Sequence, residues 1–371
     1  MKKIAIIGAS YLQLPLVRKA KELGIETHCF AWEEGAVCKK NADFFYPISI
    51  IDKEKILELC QQIGIDGITS IASDAAVPTI CYVAEEMGLI GNLYIDALVA
   101  TDKYQMRQRF SENNVRSPRF VIADDNYSIE NFQFPLIVKP TDRSGSRGVL
   151  KIENELDLKD AVARAKKESF SNQAIIEEYI TGSEVSVETI TWQGTHYILA
   201  ITDKVTTGEP YFVELEHHQP SQLSTDIQDK IKSETIKALN ALNINYGASH
   251  SEFKITNKGE VYAIEVGARM GGDFIGSNLV QLSTGYDFVS GVIDVSLGSF
   301  TPPVLDDMKY SGVYFLCEET RKILPIIQNA NNYKEIVEAE TTNNELVSIQ
   351  CSADRSGYFI YQSDIKFNTS I

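Results

Sequence analysis

Residues 247–273 of the chain read GASHSEFKITNKGEVYAIEVGARMGGD. Two apolar runs flank the turn-forming letters TNKG, a pattern that predicts a β-hairpin. Glu265 interrupts the second run, where a carboxylate is costly to bury unless it has a partner or a metal. A turn of two or four residues places Glu252 opposite Ala263, so that Glu252 and Glu265 lie diagonally on one face. The hairpin therefore brings two carboxylates together.

The paired carboxylates of Glu252 and Glu265 predict a magnesium site. Mg²⁺ prefers oxygen ligands and completes its shell with substrate phosphates and water, so that two protein carboxylates are enough. Without the metal, the two like charges should repel each other, and we expect the pKa of at least one of them to be raised. The hairpin therefore points to a substrate that carries phosphates.

A second segment, residues 138–149, has the sequence VKPTDRSGSRGV, in which a lysine precedes a Gly/Ser/Arg loop. The backbone N–H groups of such a loop can bind phosphate oxygens while Lys139 supplies a positive charge. It is not a Walker P-loop, because the GxxxxGK[ST] pattern is absent and the loop joins two strands instead of opening a helix. The alternative interpretation is a flexible hairpin with a solvated lysine.

A third segment, residues 175–188, has the sequence IIEEYITGSEVSVE, which predicts a buried strand, a short turn and a second strand. The backbone N–H and C=O groups at the end of the first strand are of the kind that an adenine edge needs. Glu184 follows the turn and is placed to accept hydrogen bonds from ribose hydroxyls. As an isolated feature, acidic residues near a strand end are more often solvated, which is the alternative here.

About the first 95 residues alternate between apolar strands and helical periodicity, which predicts parallel βαβ units in a small doubly wound domain. The predicted strands cover residues 3–7, 25–32, 67–71 and 89–91, and the predicted helices cover 12–23, 53–63 and 76–87. Gly8 in the first βα turn invites a dinucleotide-binding interpretation, but only the first glycine of the GxGxxG fingerprint is present. We therefore prefer a scaffold turn to an NAD site.

From residue 101 to about residue 297, helices are mixed with hairpin-like strand pairs, which predicts an α+β domain. Strands are predicted at 134–140, 148–152, 185–192, 197–201, 252–255 and 261–266, with helices at 156–168 and 226–243. After the letters TPP at 301–303 only short strands remain. We expect them to form a small β-rich lobe packed on the middle domain.

Composition excludes several classes of protein. The 371 residues are 44% hydrophobic and 23% charged, which is typical of folded globular domains. The formal net charge of -16 argues against a nucleic-acid partner, because non-specific binding depends on Lys and Arg at phosphates. The six cysteines are scattered without a CxxC pair, and no stretch approaches the about 18–20 apolar residues of a membrane span. We therefore expect free thiols, no membrane contact and a cytoplasmic location.

These three segments, in this order and preceded by Thr101-Asp102-Lys103, resemble the ATP-grasp enzymes. Single motifs of this superfamily are degenerate, but their joint order and spacing are specific, and the resemblance covers nearly the whole chain. It implies an α/β pre-ATP-grasp domain with Rossmann-like topology at residues 1–98 and an α+β ATP-grasp domain at residues 99–300. A small C-terminal β-rich lobe would occupy residues 301–371.

The resemblance implies roles in phosphate and metal binding. Lys103 and Lys139 would hold the phosphates of ATP. Glu252 and Glu265 would bind Mg²⁺. Arg269 would stabilise the acyl phosphate and the tetrahedral intermediate that follows it.

The resemblance also implies how the rest of ATP is held. A loop would close over the phosphates, with contacts from Ser144, Gly145, Ser146 and Gly148. The adenine would be framed by Glu177 together with the backbone of Glu178, Tyr179 and Ile180. Glu184 would contact the ribose.

One departure from the superfamily pattern matters. Many members have Asn two residues after the second glutamate, where this chain has Gly267. We therefore expect water or a phosphate oxygen in place of a third protein ligand. His250 ahead of Glu252, and the run EVGARMGG, resemble amino-acid ligases and relatives of carbamoyl-phosphate synthetase more than biotin carboxylase. The acceptor site would be lined by Lys204, Glu214, His217, His218 and His250.

The activity that the resemblance implies is an ADP-forming ligase that uses ATP and Mg²⁺. It would activate a carboxylate as an acyl phosphate for attack by an amine or a thiol, as an amino-acid ligase does. Phosphoryl transfer by a kinase of this fold, and activation of bicarbonate as in carbamoyl-phosphate synthetase, stay open. A regulatory protein without catalysis is disfavoured, because both glutamates, both lysines and Arg269 are present. Small-molecule carboxylates and amines would be the partners, and a homodimer is left open.

Overall fold

The computed structural model, which describes residues 1–306, 308–343 and 345–369, begins with a parallel four-stranded sheet. Its strands are β1 (Lys3–Ile7), β2 (Glu26–Phe30), β3 (Phe44–Tyr46) and β4 (Gly67–Thr69), in the order β3-β2-β1-β4. The helices of this region are α1 (Leu14–Glu22), α2 (Lys53–Ile63) and α3 (Val77–Met87). The parallel pairing confirms the predicted βαβ units. The short strand β3 was not predicted.

The strand predicted at residues 89–91 is wrong. Gly88 follows α3 in the left-handed conformation, with φ of 64°. The N–H of Leu89 then donates to the carbonyl of Ala84 at 2.8 Å. This pairing is the Schellman ending of a helix, which satisfies carbonyl groups of the last turn. The segment therefore caps α3 instead of joining the sheet.

Two consecutive helices lead from the first sheet into the rest of the chain. Helix α4 (Tyr94–Thr101) ends where α5 (Lys103–Glu112) begins, and Asp102 between them is extended. The Asp102 carboxylate accepts a hydrogen bond from the N–H of Gln105 at 2.8 Å and so caps α5. This break places Lys103 in the first turn of α5, where it is buried and lines the cleft described below.

The second sheet is antiparallel and has four strands. They are β5 (Phe120–Ile122), β6 (Leu136–Pro140), β7 (Leu150–Ile152) and β8 (Ala174–Glu178), in the order β5-β8-β6-β7. Helix α6 (Leu158–Glu168) packs on this sheet through Leu158, Ala161, Val162 and Ala165. The apolar alternation of β6 and β8 fixes which of their residues face the helix. Lys139 and Glu177, at the alternate positions, are left to face the cleft.

The third and largest sheet, here the central sheet, has eight strands. Its first five are β9 (Ser183–Trp192), β10 (Thr195–Thr206), β11 (Glu214–Gln219), β12 (Tyr246–Ile255) and β13 (Val261–Gly267). Its last three are β14 (Tyr310–Leu316), β15 (Ile336–Thr341) and β16 (Gly357–Ser363). The strand order is β13-β12-β9-β10-β11-β14-β16-β15. The helices that accompany it are α7 (Thr225–Ala241), α8 (Val280–Thr284), α9 (Phe288–Ser296) and α10 (Leu324–Gln328).

The C-terminal strands extend the central sheet. β14 pairs antiparallel with β11, with Glu216 opposite Tyr314 and Gln219 opposite Ser311. The sequence predicted a lobe packed on the middle domain, whereas these strands continue the hydrogen bonding of its sheet. The C-terminal segment can therefore carry side chains directly to the face that β11 presents to the cleft.

Helix α9 lies between the first sheet and the central sheet. Val292 and Ile293 share one buried apolar cluster with Ile4 and Ile6 of β1 and with Ile190 of β9. Burial of apolar surface stabilises such a contact by about 25 cal/mol per Å². The first sheet and its helices, which we call the first domain, are therefore fixed against the central sheet. A contact between the two is described below.

The cysteines and the helix lengths bear on the environment of the chain. All six cysteines are free thiols, and only Cys351 among them is exposed. No helix within residues 1–306, 308–343 and 345–369 is both long enough and apolar enough to cross a membrane.

Candidate active site

Glu252 and Glu265 lie directly opposite each other in the β12–β13 hairpin. The predicted register, with Glu252 opposite Ala263, is wrong, because a β-bulge shifts the pairing between Glu252 and Phe253. Phe253 pairs with Ala263, so that Ile264 is the extra residue on β13. Directly opposite residues are closer than diagonal neighbours. The two carboxylates are therefore nearer to each other than the sequence predicted.

Lys103 is the partner of Glu265. Its Nζ lies 2.8 Å from Oε1 of Glu265 and donates to the carbonyl oxygen of Arg143 at 2.6 Å. Burial alone would lower the pKa of Lys103, but Glu265 and the more remote Asp74 raise it above its ordinary value. Lys103 is therefore a buried cation that joins the hairpin to the base of the Gly/Ser loop.

Lys204 holds three carboxylates at one point. Its Nζ lies 2.8 Å from Oε1 of Glu184, 2.9 Å from Oε1 of Glu252 and 3.4 Å from Oε1 of Glu214. Burial would lower the pKa of this 2% exposed side chain, but the carboxylates raise it well above its ordinary value. Lys204 therefore links the predicted ribose contact, a predicted metal ligand and the acceptor end of the site.

His250 lies between two carboxylates. Its Nδ1 is hydrogen-bonded to Oε1 of the buried Glu188, and its Nε2 lies 3.2 Å from Oε1 of Glu252. Burial lowers the pKa of His250, but Glu188 and Glu252 raise it to about 9. The second oxygen of Glu188 accepts a hydrogen bond from the N–H of Gly271 at 2.9 Å. His250 is therefore a cation near neutral pH and orients Glu252.

The expected raised pKa is wrong for Glu252. Burial raises the pKa of this carboxylate, but Lys204 and His250 hold it well below its ordinary value. Glu265 has its own cation in Lys103. The two like charges alone would raise the pKa, but the counter-charges Lys103 and Lys204 come from α5 and β10, which lie far away in the sequence.

Lys139 and Glu177 pair across the neighbouring strands β6 and β8. Lys139 Nζ lies 2.7 Å from Oε2 of Glu177, and Nε of Arg107 lies 2.9 Å from its Oε1. Burial lowers the pKa of Lys139, and Arg107 lowers it further, while Glu177 opposes both effects. Both oxygens of Glu177 are engaged by cations, and its predicted part in framing adenine stays a prediction.

Arg107 was missed by the sequence reasoning. Its side chain is fully buried, and its Nη2 donates to the carbonyl of the bulge residue Ile264 at 2.6 Å. Arg107 lies four residues after Lys103 on α5, a spacing that puts two side chains on the same helix face. That spacing is the signal through which the sequence could have indicated it.

The segment from Glu178 to Ile180 leaves β8 and lines the cleft, as predicted for the adenine contacts. The centroid of the Tyr179 ring lies 4.6 Å from Nζ of Lys151, and this cation–π contact holds the Tyr179 side chain against β7. Glu184 follows at the start of β9, where Lys204 and Lys254 approach its carboxylate to 2.8 and 3.2 Å. Burial would raise the pKa of Glu184, but these lysines lower it.

The Gly/Ser loop, residues 141–149, has an exposed tip from residue 144 to residue 147. Three of its predicted ATP contacts line the cleft, namely Ser144, Gly145 and Ser146. Gly148 does not, and it differs from the prediction in this respect. Its φ is 71°, and a Cβ at this position would lie 2.9 Å from Cγ of Pro140. Glycine at 148 is therefore needed by the backbone of the loop.

Arg269 follows β13 and is held by an aspartate from the first domain. Its Nε lies 2.9 Å from Oδ1 of Asp74, and its Nη2 lies 3.0 Å from Oδ2. Burial would lower the pKa of Arg269, but Asp74 raises it above its ordinary value. Asp74 was also missed by the sequence reasoning, because the contact joins residues 195 positions apart.

The predicted acceptor end contains His217 but not His218. His217 lines the cleft, and burial lowers its pKa, while neither of its ring nitrogens has a hydrogen-bond partner among the residues described. The next residue of a strand points to the opposite face. His218 accordingly bonds Tyr361, with Nδ1 and the phenolic oxygen 3.1 Å apart, and its expected place in the cleft is wrong.

From the C-terminal segment, Arg355 contacts two residues that line this end of the cleft. Its Nη1 donates to Oδ2 of Asp273 at 2.7 Å, and its Nη2 donates to the carbonyl of Glu214 at 2.9 Å. The guanidinium lies 3.7 Å from the ring centroid of Phe315. Burial would raise the pKa of Asp273, but Arg355 lowers it. Arg355 lies beyond the predicted ATP-grasp domain, so no motif indicated it.

One cavity of about 350 Å³ is lined by all of the predicted site residues except Gly148 and His218. At its base lie side chains from α5 and from strands of the second and central sheets. We call this ion-paired set the charged floor: Lys103, Lys139, Glu177, Lys204, Glu252 and Glu265 line the cavity, and the buried Arg107 lies behind them in contact with Glu177. The Gly/Ser loop and the floor together border a space that suits a polyanion bound with a cation.

The oxygen donors of the cavity decide whether Mg²⁺ would fit there. No group of three or more His, Cys, Asp or Glu side chains in the described parts of the chain is arranged to hold a metal. Glu252 and Glu265 offer oxygen ligands directly opposite each other, and Gly267 offers none. Mg²⁺ is commonly held by one or two carboxylates plus substrate phosphates, so the residues present fit a metal that arrives with a nucleotide.

Comparison with protein families identifies the middle of the chain. Residues 132–277 match the family model of the ATP-grasp domain, so the chain contains an ATP-grasp domain. Alanine–anticapsin ligase from Bacillus subtilis (strain 168) is 28% identical over 268 residues, which cover 65% of this chain and 56% of that protein. The chain thus spans little more than half the length of this curated relative.

Comparison with solved structures shows the fold over almost the whole chain. The L-amino acid ligase from Bacillus licheniformis has a TM-score of 0.81 at 20% identity, with 99% of this chain and 94% of that chain covered. The N5-carboxyaminoimidazole synthetase from Staphylococcus aureus, complexed with ADP, has a TM-score of 0.79 at 17% identity, with 98% and 94% covered. At these identities the similarity is one of fold, and it confirms the predicted α/β and α+β architecture.

Proposed function

We propose that this chain, with its ATP-grasp domain, is an ADP-forming ligase that uses ATP and Mg²⁺ to join a carboxylate to an amine. The observation that carries the proposal is the content of one cavity. It combines two buried lysines, Lys103 and Lys139, with the opposed Glu252 and Glu265 and with Arg269. Phosphate binding, metal binding and oxyanion stabilisation are the three tasks that acyl-phosphate chemistry requires.

The binding of ATP follows from the charges of the floor. Lys103 and Lys139 would contact the phosphates, and the backbone of the Gly/Ser loop would cover them. Glu252 and Glu265 would hold Mg²⁺, which when bound neutralises charge on the phosphates and polarises the one that is transferred. Since Lys103 now pairs with Glu265, the metal would replace the lysine at the carboxylate and leave Lys103 to the phosphate.

The reaction has two steps in this site. A carboxylate oxygen of the first substrate attacks the γ-phosphorus, the bond to the bridging oxygen breaks, and ADP leaves. The amine nitrogen of the second substrate then attacks the acyl carbon, the bond between carbon and the phosphate oxygen breaks, and an amide, inorganic phosphate and a proton are formed. Arg269 would stabilise the negative charge of the acyl phosphate and of the tetrahedral intermediate.

An amino acid is the substrate class that the acceptor end favours. Glu214, Asp273 and His217 lie together there, and an ammonium group would bind the two carboxylates by taking the place of their present partners Lys204 and Arg355. The names of two relatives, an alanine–anticapsin ligase and an L-amino acid ligase, support the same class. A cytoplasmic location is part of the proposal and is supported by the free thiols.

The experiment is a screen of carboxylates and amines with purified chain and MgATP, in which ADP and inorganic phosphate are both measured. We expect both products in equal amounts when an acid and an amine are present together, and a hydroxamate when hydroxylamine replaces the amine. An Arg269→Ala variant, prepared in parallel, controls for contaminating ATPase.

Two outcomes of this screen would contradict the ligase proposal. ADP formed without inorganic phosphate would indicate a kinase. ADP formation that needs bicarbonate, and no other acid, would indicate carbamoyl-phosphate chemistry.

A further inference from the structure

Asp74 and Arg269 make a two-point ion pair between the first domain and the central sheet. Two nitrogens of the guanidinium lie 2.9 and 3.0 Å from the two carboxylate oxygens, which is the strongest and most directional form of this contact. Asp74 begins a 3-10 turn, Asp74–Ala76, that leads into α3. Arg269 follows β13, and both side chains are mostly buried, at 16% and 19% exposure for Arg269 and Asp74.

Gly267 provides the space for this pair. A Cβ at position 267 would lie 2.7 Å from Oδ1 of Asp74 and 3.1 Å from Nε of Arg269. Gly267 does not have a positive φ, so its backbone conformation does not require glycine. A side chain is excluded because its Cβ would collide with Asp74. The departure from the superfamily pattern at this position therefore has a physical reason, because the aspartate from the first domain occupies the volume of the missing side chain.

The ion pair leaves one edge of Arg269 for the cavity. Nε and Nη2 face Asp74, whereas Nη1 makes a long contact of 3.3 Å with the carbonyl of Met270. The guanidinium is planar, so two bonds along one edge fix the orientation of the rest. Asp74 itself also lines the cavity.

We propose that Asp74 is a positioning residue of the ligase reaction, which fixes the plane of Arg269 from the first domain, and that Gly267 is required to admit it. The catalytic part of this inference rests on the proposed function. Its structural part, a three-residue unit of Asp74, Gly267 and Arg269, does not. On this proposal the first domain contributes a side chain to the ligase site. We interpret its first βα turn, at Gly8, as a scaffold turn and not as a dinucleotide site.

The first test separates positioning from binding of ATP. Asp74→Ala should lower kcat about tenfold or more and leave the KM for ATP within about twofold, because Arg269 acts after the nucleotide is bound. Asp74→Asn should behave similarly, since its amide group would face the donors of Arg269. The control is Asp52→Ala, which removes a pair with Lys55 in the same domain and should leave kcat within about twofold. A full kcat in Asp74→Ala would overturn the inference.

The second test uses the steric relation between positions 74 and 267. Gly267→Ala alone should lower kcat about tenfold or more, because its Cβ displaces the Asp74 carboxylate. In an Asp74→Ala background, the same change should cost less than about twofold. Equal losses in both backgrounds would overturn the inference.

The third test requires no turnover and so stands apart from the proposed function. Melting temperatures are compared for Asp74→Ala, Arg269→Ala and the double variant. Each single change leaves a buried charge without its partner, so the double variant should lose less than the sum of the two. Additive losses would overturn the three-residue unit even if the chain is a ligase. Coupled losses in a chain without ligase activity would sink only the catalytic part.

The fourth test asks whether Asp74 binds the metal instead of positioning Arg269. If Asp74 were a metal ligand, its removal would weaken cation binding. We expect the affinity for Mn²⁺ in the presence of ADP, measured by calorimetry, to stay within about twofold in Asp74→Ala. A loss of about tenfold or more would overturn the positioning role and make Asp74 a ligand.

Discussion

The charged floor and the Gly/Ser loop border the same cavity, but they differ in how each would bind a polyanion. The cations of the floor are buried side chains on α5 and on strands, and each already has a carboxylate within 3 Å, as with Lys103 and Glu265 at 2.8 Å. The tip of the loop is exposed and contains glycine and serine with positive φ. The floor is therefore preorganised by ion pairs, whereas we expect the tip of the loop to gain its phosphate contacts when the nucleotide binds.

The two regions should therefore differ in the main free-energy cost of binding ATP, which is electrostatic in the floor and entropic in the loop. Floor cations cannot be left alone, because an unpaired buried charge is costly, and so they must exchange one anionic partner for another when ATP binds. The exposed tip of the loop, residues 144–147, should instead lose conformational entropy when it orders on the phosphates. Substitutions in the floor should consequently affect stability and turnover strongly, while the loop should show its role in dynamics.

The largest effect is expected for Glu177→Gln. It leaves Lys139 and Arg107 without their common carboxylate, and the free energy of unfolding should fall by about 3–5 kcal/mol at pH 7, as measured by chemical denaturation. The matched control is Glu260→Gln, which breaks an exposed pair with Arg116 and should cost less than about 1 kcal/mol.

The same variant makes a prediction for pH. Burial raises the pKa of Glu177, but Arg107 and Lys139 lower it below its ordinary value. A carboxylate with a depressed pKa contributes stability above the unfolded value of about 4.3, and that stability is lost as pH falls through the folded value. The difference in the free energy of unfolding between wild type and Glu177→Gln should therefore become smaller below about pH 4. Equal free energies of unfolding for wild type and Glu177→Gln at pH 7 would show that the Glu177 ion pairs do not stabilise the protein.

Arg269→Lys should have the next largest effect. Lysine keeps the charge but cannot present a planar fork, so kcat should fall by about 10²–10³, which corresponds to about 3–4 kcal/mol, with little change in the KM for ATP. Steady-state kinetics beside Arg116→Lys, an exposed arginine outside the cavity, measures this. If the variant keeps a kcat near that of wild type, Arg269 has no catalytic role.

Lys139→Ala should have a smaller effect that includes binding. One charge-assisted phosphate contact is worth about 1.5–3 kcal/mol, so the KM for ATP should rise and turnover should fall by about ten- to hundredfold in total. Lys167→Ala, an exposed lysine on α6, is the control. Unchanged ATP kinetics in a folded Lys139→Ala protein would place the phosphates elsewhere.

The Gly/Ser loop should give the smallest energetic signal and the clearest dynamic one. Because few apolar contacts hold its tip, hydrogen exchange of amides 141–149 should slow when an ATP analogue and Mg²⁺ are added. Amides of β12, which lie inside the central sheet, should change little. A loop whose exchange is the same with and without nucleotide, or a floor that changes more than the loop, would reverse the comparison.

Local patterns predicted the elements, and tertiary contacts decided their details. Helix α2 was predicted at residues 53–63 and extends over Lys53–Ile63, because its apolar periodicity is complete within the segment. The register of the β12–β13 hairpin was not predictable from its own letters. Ile264 is the bulge residue, and its carbonyl accepts a hydrogen bond from Arg107, 157 positions away.

The same limit applies to the candidate site. Residues within a motif, such as Lys139 and Glu265, were identified because their spacing is local. Asp74 and Arg355 were missed because they come from the first domain and from the C-terminal segment, and only the packed structure brings them to Arg269 and Asp273 of the cleft. The raised pKa that was expected for at least one of the two glutamates does not hold for Glu252 for the same reason, since Lys204 lies on another strand.

The most direct test of the central claim is the transfer of oxygen from the carboxylate substrate to phosphate. The acid that supports ADP release is labelled with ¹⁸O in its carboxyl group, and the inorganic phosphate is analysed by mass spectrometry. Activation as an acyl phosphate predicts one ¹⁸O in each phosphate formed, because the attacking oxygen leaves with phosphorus. Phosphate without ¹⁸O would contradict the claim that this cavity activates a carboxylate.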